Sequence, residues 1–156
     1  MATQMQTGTV SITPPNLEKL WSEHLDGEFV SKDVEATLAT MVDDAYVNHV
    51  PVSTGGRGKN ELRTFYRDHF IPSWPDDVQM TPVNRVVGEE QLVDELRVSF
   101  THSKRMNWFL PNLPPTNKRV TVDFVVVVQF RGDKIACERI YWDQANVLRQ
   151  IGLLTD

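Results

Sequence analysis

The fold of this chain is decided by residues 120–152, which read VTVDFVVVVQFRGDKIACERIYWDQANVLRQIG. The apolar run from Val120 to Arg131 predicts a core strand, and its four consecutive valines predict burial on both faces of a sheet. Gly132-Asp133 predicts a tight turn into a second strand that ends at Asp143, and the remaining residues predict a short closing helix. This order brings a carboxylate, that of Asp143, to the junction between a core strand and a helix.

Three amphipathic helices are predicted in the N-terminal half, because apolar side chains recur there at the spacing of one helical face. The first begins after an N-cap at Asn16 and ends at Gly27, the second begins after Asp33, and the third ends at Pro72. Their predicted buried stripes are Leu17, Leu20, Trp21, His24 and Leu25; Val34, Leu38, Met41 and Val42; and Leu62, Phe65, Tyr66, His69 and Phe70.

Strand patterns fill the rest of the chain. A short extended segment is predicted from Ala45 to Val50, and a strand from Val83 to Val87. The next strand has a predicted core face of Leu92, Asp94, Leu96, Val98, Phe100 and His102. Helices followed by meandering strands predict a single α+β domain with antiparallel strands over residues 15–156, preceded by a flexible segment, residues 1–14.

Composition excludes several classes of function. The net charge of −5 and the lack of a basic cluster argue against nonspecific nucleic-acid binding. Cys137 is the single cysteine of the 156 residues, so an intrachain disulfide is impossible and a cysteine-based zinc site is not expected. No apolar run approaches the roughly 20 residues of a membrane span, and the N-terminus has no secretory signal pattern. We therefore expect a cytoplasmic protein that binds neither nucleic acid nor membrane.

The candidate catalytic residues are Asp143, His49 and His102. Asp143 can cap the closing helix, exchange protons at a cavity rim, or do both. His102 lies on the predicted core face of its strand, whereas the facing of His49 is left open by the short segment around it. With His24 and His69 on helical stripes, all four histidines occupy places that can face inward, which predicts a cavity with polar groups in its wall. Their wide spacing matches no metal-binding motif, so no metal is expected.

Aromatic residues supply the predicted wall of a pocket for a flat, apolar ligand. The pocket-lining candidates are Tyr46, Trp108, Phe124, Trp142 and His24. Trp21 and Trp142 can equally be ordinary core residues. Trp108 lies in an irregular segment where an exposed Trp-Phe pair would be unfavourable, so we expect a lid or a dimer contact there.

The chain resembles the SnoaL-like polyketide cyclases of the nuclear-transport-factor-two-like superfamily. The similar segments are Asp43 to His49 before a proline, Gly58 to Phe65, Pro114-Pro115-Thr116, and Trp142-Asp143 followed by Leu148-x-Gln150-x-Gly152. The resemblance implies a cone-shaped barrel of helices packed on a strongly curved antiparallel sheet that encloses an apolar cavity, and often a homodimer. It also implies an acid/base role for Asp143 in an intramolecular aldol closure that needs no metal or cofactor.

The same superfamily contains ketosteroid isomerases, from which this chain departs. The isomerase base would fall at His49 and the oxyanion-hole acid near Val126, so both carboxylates are missing. The leading prediction is a cofactor-independent cyclase or isomerase of a hydrophobic, carbonyl-containing small molecule. In it Asp143 abstracts a proton and His49 or His102 donates a hydrogen bond to the enolate. The alternatives are a non-catalytic ligand-binding or accessory domain, and an epoxide or lactone hydrolase with a water held by Asp94 or Asp143.

Overall fold

The computed structural model describes residues 13–155, so most of the predicted flexible segment 1–14 lies outside the described residues. The helices are α1 (Leu17–Leu25), which continues as a π-helical turn (Asp26–Val30); α2 (Val34–Ala39); α3 (Gly58–Thr64), which continues as a π-helical turn (Phe65–Phe70) and a 3-10 turn (Ile71–Ser73); and α4 (Gln144–Gln150). The strands are β1 (Met41–His49), β2 (Thr54–Arg57), β3 (Gln79–Val87), β4 (Gln91–Thr101), β5 (Arg119–Arg131) and β6 (Lys134–Tyr141).

The six strands form one curved sheet in the order β2-β1-β6-β5-β4-β3, with the helices packed on it. Neighbouring strands are antiparallel except for β1 and β6, which run parallel, with Val47 opposite Glu138 and His49 opposite Ile140. The predicted α+β class is therefore confirmed, and the predicted antiparallel arrangement holds for all pairs but this one. The parallel pair brings β1 and the end of the chain side by side in the middle of the sheet.

Two helix boundaries differ from the prediction. Gly27 does not end the first helix, because the chain continues as a π-helical turn that buries Glu28. A β-carbon on Gly27 would lie 2.6 Å from Thr37 Oγ1, so glycine is needed for the turn to pack this closely against α2. The second helix ends at Ala39, and the predicted helical residue Met41 is instead the first residue of β1.

Burial along β4 follows the predicted alternation, whereas burial along β5 differs in part from the prediction. In β5 every second residue from Val120 to Phe130 is buried, whereas Val125 and Val127 on the other face are only half-buried, so the predicted burial on both faces is incomplete. A bulge in the β5–β6 pairing, next to Phe130, shifts the phase of β6 so that Cys137 and Glu138 are both buried. No helix among the described residues is long and apolar enough to cross a membrane.

Candidate functional site

A small cavity of about 50 Å³ lies between the helices and the inner face of the sheet. Its wall is mainly aromatic and aliphatic, and it includes Trp21, Phe29, Phe65, Phe70, Trp74, Met80, Leu96, Val98, Trp108, Phe124, Val126 and Ile140. Four polar side chains interrupt this wall: Glu28, His49, Tyr66 and Glu138. An apolar cavity with a few converging polar groups is the usual form of a small-molecule site.

Glu28, Tyr66 and Glu138 meet His24 in a buried group that we call the acidic cluster. His24 Nε2 lies 3.1 Å from Glu28 Oε1 and 3.0 Å from Glu138 Oε1. The Tyr66 hydroxyl donates to Glu138 Oε1 at 3.2 Å. All four side chains are at most 5% exposed, so the cluster is shielded from water. The π-helical turn contributes Glu28, α1 contributes His24, the turn after α3 contributes Tyr66, and β6 contributes Glu138.

The hydrogen bonds of His24 fix both of its nitrogens as donors. Thr40 Oγ1 donates to the Thr37 carbonyl at 2.6 Å, so at 2.7 Å it accepts from His24 Nδ1. Nε2 faces only acceptors and a phenol. Burial by itself lowers the pKa of His24, but the carboxylates of Glu138 and Glu28 outweigh it and raise the pKa to about 10. His24 is therefore an imidazolium at neutral pH.

Two carboxylates share this one cation. Burial raises the pKa of Glu28, while the charge and hydrogen bond of His24 act in the opposite direction. Burial, followed by the charge of Glu138, also raises the pKa of the Tyr66 phenol well above its usual range. A carboxyl group with a raised pKa beside an apolar cavity suits proton transfer near neutral pH.

His49 lies in the aromatic part of the wall. Its Nδ1 lies 3.2 Å from the Thr54 carbonyl, which only accepts, so Nδ1 carries the proton and Nε2 keeps a lone pair. Burial lowers the pKa of His49 to about 4, so the ring is neutral at neutral pH. The β1–β2 hairpin holds Thr54 in place, and it requires Gly55, where a β-carbon would lie 1.9 Å from the Val47 carbonyl oxygen.

Of the two predicted histidines in this region, His49 reaches the cavity, whereas His24, predicted to line it, does not. His49 is in the wall, and His24 lies behind Glu28 and Glu138. Trp108 and Phe124 are in the wall as well. Trp142 packs behind it, with its ring centre 6.0 Å from that of His49. Trp108 is 2% exposed, so the irregular segment packs this side chain into the interior, where it forms part of the cavity wall.

Asp143 and His102 are placed apart from this cavity. Asp143 is exposed, and its carboxylate caps α4 by accepting from Asn146 N at 2.9 Å, which is one of the two roles predicted for it. His102 is buried, as expected, but it does not line the cavity, and its Nδ1 accepts from Thr116 N at 3.3 Å. Burial lowers the pKa of His102. The structure therefore does not join the three predicted catalytic residues, and their roles stay predictions.

Two further predicted positions are corrected. Tyr46 is on the outer face of the sheet, where its hydroxyl accepts from Arg139 at 3.2 Å and Arg57 lies over its ring. It does not line the cavity, because successive residues of a strand point to opposite faces and Val47 and His49 take the inner one. His69 is exposed rather than buried, since the π-helical turn moves it off the stripe of α3.

Asp94 was named above as a residue that could hold a catalytic water. Its carboxylate already accepts hydrogen bonds from other side chains of the protein. Arg85 forms two hydrogen bonds to its carboxylate, of 3.0 and 2.8 Å, and Trp21 Nε1 donates a third at 2.8 Å. The Trp21 ring in turn stacks on His24, with ring centres 5.4 Å apart. Asp94 therefore supports the acidic cluster from behind and does not face the cavity.

Sequence reasoning missed Glu28 and Glu138 as site residues. Glu28 follows the glycine that was expected to end the helix, and Glu138 lies in a strand whose phase is shifted by a bulge. One signal could have identified Glu28: it is four residues after His24, which is the spacing of neighbours on one helical face.

The cluster also contains the donor set of a possible metal site. Ligand atoms of His24, Glu28 and Glu138 lie within 4.8 Å of one another. Both nitrogens of His24 are engaged as donors, so a metal ion would have to displace the proton on Nε2 before it could bind there. The expected absence of a metal or cofactor stays a prediction.

The sequence profile of the SnoaL-like polyketide cyclase family matches residues 25–151. No curated protein sequence matches the chain. Among solved structures, a putative SnoaL-like polyketide cyclase from Jannaschia sp. CCS1 is similar, with a TM-score of 0.69 and 15% identity, over 93% of this chain and 99% of that one.

Two other solved structures are similar to the chain. An NTF2-like protein of unknown function from Burkholderia pseudomallei K96243 has a TM-score of 0.65 and 18% identity, over 86% of this chain and 96% of that one. SalBIII, an epoxide hydrolase/cyclase-like enzyme with a role in pyran ring formation in the polyether salinomycin, has a TM-score of 0.62 and 17% identity, over 83% and 92%. At these identities the similarities show the fold alone.

Proposed function

Because the chain belongs to the SnoaL-like polyketide cyclase family, we propose that it is a cofactor-independent cyclase or isomerase of a hydrophobic, carbonyl-containing small molecule. Family membership supports a role of the cyclase or isomerase type in general. The finer proposal is that the acidic cluster, and not Asp143, supplies the acid–base chemistry. Glu28 transfers the proton, and Glu138 keeps the cluster in place.

The observation that carries this proposal is the burial of two carboxylates at the edge of an apolar cavity. Glu28 and Glu138 are 5% and 4% exposed, and both line the cavity. Buried carboxylates are unfavourable unless they are paired, and a single imidazolium cannot neutralise two of them. Glu28, whose pKa burial raises, is the group that can hold a proton at one moment and release it at another.

In the proposed reaction, Glu28 in its carboxylate form removes a proton from the carbon next to the substrate carbonyl. The electron pair of the C–H bond passes to the carbonyl oxygen and gives an enolate. In an isomerisation, Glu28 returns the proton to another carbon of the conjugated system. In a cyclisation, the enolate carbon attacks a second carbonyl of the same molecule, and the resulting alkoxide takes the proton back from Glu28.

Glu138 and His49 have supporting roles. Glu138 accepts from the Tyr66 hydroxyl and from His24, and these contacts keep the imidazolium in place. His49 offers a lone pair at Nε2 to the cavity side and its single N–H to Thr54. It can accept a hydrogen bond from a substrate hydroxyl, but its one N–H is directed to Thr54, so it has no free donor for an enolate.

The aromatic wall suits a flat, apolar substrate, but the cavity is so small that its wall must open before such a substrate can bind. About 50 Å³ leaves little room for a ring system. The half-buried side chains of Phe29 and Met80 must move outward when a bicyclic substrate enters. Such opening at a cavity mouth is a common step in enzymes that exclude water during the reaction.

The test uses two reactions that need no knowledge of the natural substrate. The first is conversion of a β,γ-unsaturated cyclohexenone to its conjugated isomer, followed by ultraviolet absorbance. The second is exchange of the α-hydrogens of cyclohexanone for deuterium, followed by NMR. We expect Glu28→Gln to lower both rates on the order of a hundredfold or more, because the amide cannot accept the proton.

Asp143→Asn is the matched control, since it makes the same change in an exposed carboxylate. We expect both rates to stay within about twofold of the unchanged protein, because Asp143 lies outside the cavity. Loss of activity in Asp143→Asn with full activity in Glu28→Gln would overturn the proposal and favour the role predicted from the sequence. Absence of both reactions in the folded, unchanged protein would favour a non-catalytic ligand-binding domain.

A further inference from the structure

The four tryptophans of the chain differ in one respect, the partner of the indole N–H. Trp21 donates to Asp94 at 2.8 Å, Trp108 to Ser73 Oγ at 2.8 Å, and Trp142 to Gln144 Oε1 at 2.7 Å. Trp74 Nε1 is buried and has no hydrogen-bond partner among residues 13–155. A buried donor without a partner is unfavourable and calls for an explanation.

The surroundings of Trp74 hold the ring but offer no acceptor. The side chain is 7% exposed and packs between the rings of Phe29, Trp108 and Phe100, with ring centres 5.6, 5.0 and 5.9 Å away. Its backbone is fixed by Lys104, whose Nζ donates to the Trp74 carbonyl at 3.0 Å. The ring is therefore held in one place, although nothing in the described part of the chain pairs with its N–H.

Trp74 lies where the cavity meets an outer pocket of about 380 Å³. Four residues line both spaces: Glu28, Phe29, Trp74 and Met80. A molecule that enters the cavity through the outer pocket passes Trp74 and Glu28 on the way. The unpaired donor and the proposed proton carrier therefore border the same passage.

The other donors in the cavity wall are already engaged. The N–H of His49 is directed to Thr54, the hydroxyl of Tyr66 to Glu138, and the indoles of Trp21 and Trp108 to their own partners. Within the described residues, Trp74 is the side chain of this wall with a donor that no protein group uses. An acceptor atom of a ligand would give this N–H the partner that the described residues do not supply.

We propose that the indole N–H of Trp74 binds the carbonyl oxygen of the substrate. This inference deepens the proposed function and rests on it, because the ligand is a substrate only if the site is catalytic. It gives the ligand an orientation: the oxygen lies at Trp74, and the adjacent carbon faces Glu28. Negative charge that forms on the oxygen is then kept at a hydrogen-bond donor and away from the carboxylates of the acidic cluster. The expected ligands are ketones and related carbonyl compounds, and hydrocarbons of the same shape bind less well.

The experiment compares cyclohexanone with methylenecyclohexane, which has the same shape but carries a CH₂ group in place of the oxygen. Protein labelled with ¹⁵N at tryptophan gives one indole N–H signal for each of the four side chains, and Trp74→Phe identifies the signal of Trp74. We expect cyclohexanone to move that proton downfield and methylenecyclohexane to leave it without a downfield shift. The signal of Trp142, which is outside the cavity wall and already paired, serves as an internal reference.

Affinities give a second measure that does not depend on signal assignment. Trp74→Phe keeps an aromatic ring and removes the donor, so the preference for the ketone over the hydrocarbon should fall about threefold to tenfold. Trp142→Phe makes the same change at an indole that lies outside the cavity wall and whose N–H is already paired, and its preference should equal that of the unchanged protein.

A Trp74 proton that does not move with cyclohexanone, or an equal ketone preference in the unchanged protein and in Trp74→Phe, would overturn the inference. Should Trp74→Phe fail to fold, Trp21→Phe, Trp108→Phe and Trp142→Phe identify the other three signals, and the shift of the remaining signal in the unchanged protein decides the question. These are binding measurements, so they are independent of turnover: ketone binding at Trp74 without α-hydrogen exchange would refute the proposed function and leave this contact intact.

Discussion

His49 lines the cavity and His24 lies just behind its wall, yet the two histidines exist in opposite charge states. Both are almost fully buried, at 0% and 2% exposure. His24 meets two carboxylates, and its pKa is raised to about 10, whereas His49 meets the rings of Phe65, Phe70 and Trp108, and burial lowers its pKa to about 4. The difference teaches that burial alone does not set the charge of a histidine, because what the ring contacts decides the direction of the shift.

The same difference divides the cavity into two chemical parts. The polar part contains Glu28 and Glu138 of the acidic cluster, and the other part is a wall of aromatic rings around the neutral His49. In the proposed reaction, the first part contacts the acidic carbon of a carbonyl compound and the second contacts its hydrocarbon surface. Experiments that measure the charge states of the two histidines therefore also test the proposed site.

The largest expected effect comes from removing a carboxylate from His24. Glu138→Leu leaves the imidazolium with Glu28 alone and removes the acceptor of the buried Tyr66 hydroxyl, and the loss of these buried hydrogen bonds to a carboxylate costs about 3 kcal/mol of the free energy of unfolding. Urea denaturation measures the loss, and an NMR titration of His24 should show a lower pKa. If stability and titration both stay unchanged, the carboxylates do not hold the charge on His24.

Asp44→Asn is the control for that change, because Asp44 forms an ion pair of 2.8 Å with Arg131 at the exposed surface. Its removal should have little effect on unfolding, since water screens exposed pairs. Equal losses in the two variants would mean that the burial of the acidic cluster adds nothing to the strength of its pairing.

The next effect is a loss of stability in acid that originates from His49. The unfolded chain binds a proton on this residue below about pH 6.5, whereas the folded chain binds it only near pH 4. Stability is therefore full above the unfolded pKa and falls as the pH decreases through this window, by roughly 3 kcal/mol at its lower end.

The measurement is the free energy of unfolding at several pH values, for the unchanged protein and for His49→Phe. His102 also has a pKa lowered by burial and contributes with the same sign, so the difference between the two proteins isolates His49. We expect His49→Phe to lose less stability between pH 6.5 and 4. Parallel curves would show that His49 is not kept neutral by the fold.

The sequence predicts the helices and strands that carry this site better than it predicts which residues form the site. The N-caps Asn16 and Asp33 are confirmed by their hydrogen bonds, and the core face of β4 is confirmed by its alternating burial, since these features depend on local spacing. Glu28 depends on a π-helical turn that packs against α2, and Glu138 on a bulge next to a neighbouring strand. Both are tertiary events that local periodicity does not encode.

Asp143 shows how one local signal can support two interpretations. Its place before the closing helix predicts an N-cap, which the structure confirms, and its resemblance to a family aspartate predicts an acid–base role. No pattern within the segment separates the two interpretations, because only the path of the neighbouring chain determines whether the carboxylate faces a cavity or water.

The smallest expected effect, that of Asp143→Ala, sharpens the comparison by giving the contribution of a carboxylate that is hydrogen-bonded but not buried. Its loss removes the bond to Asn146 N and should lower the free energy of unfolding by about 1 kcal/mol, the usual contribution of an N-cap. Asp143→Asn, which keeps a capping oxygen, should restore most of this stability. If both variants are equally destabilised by several kcal/mol, the charge of Asp143 interacts with the interior, and the division between a buried acidic cluster and an exposed cap would have to be abandoned.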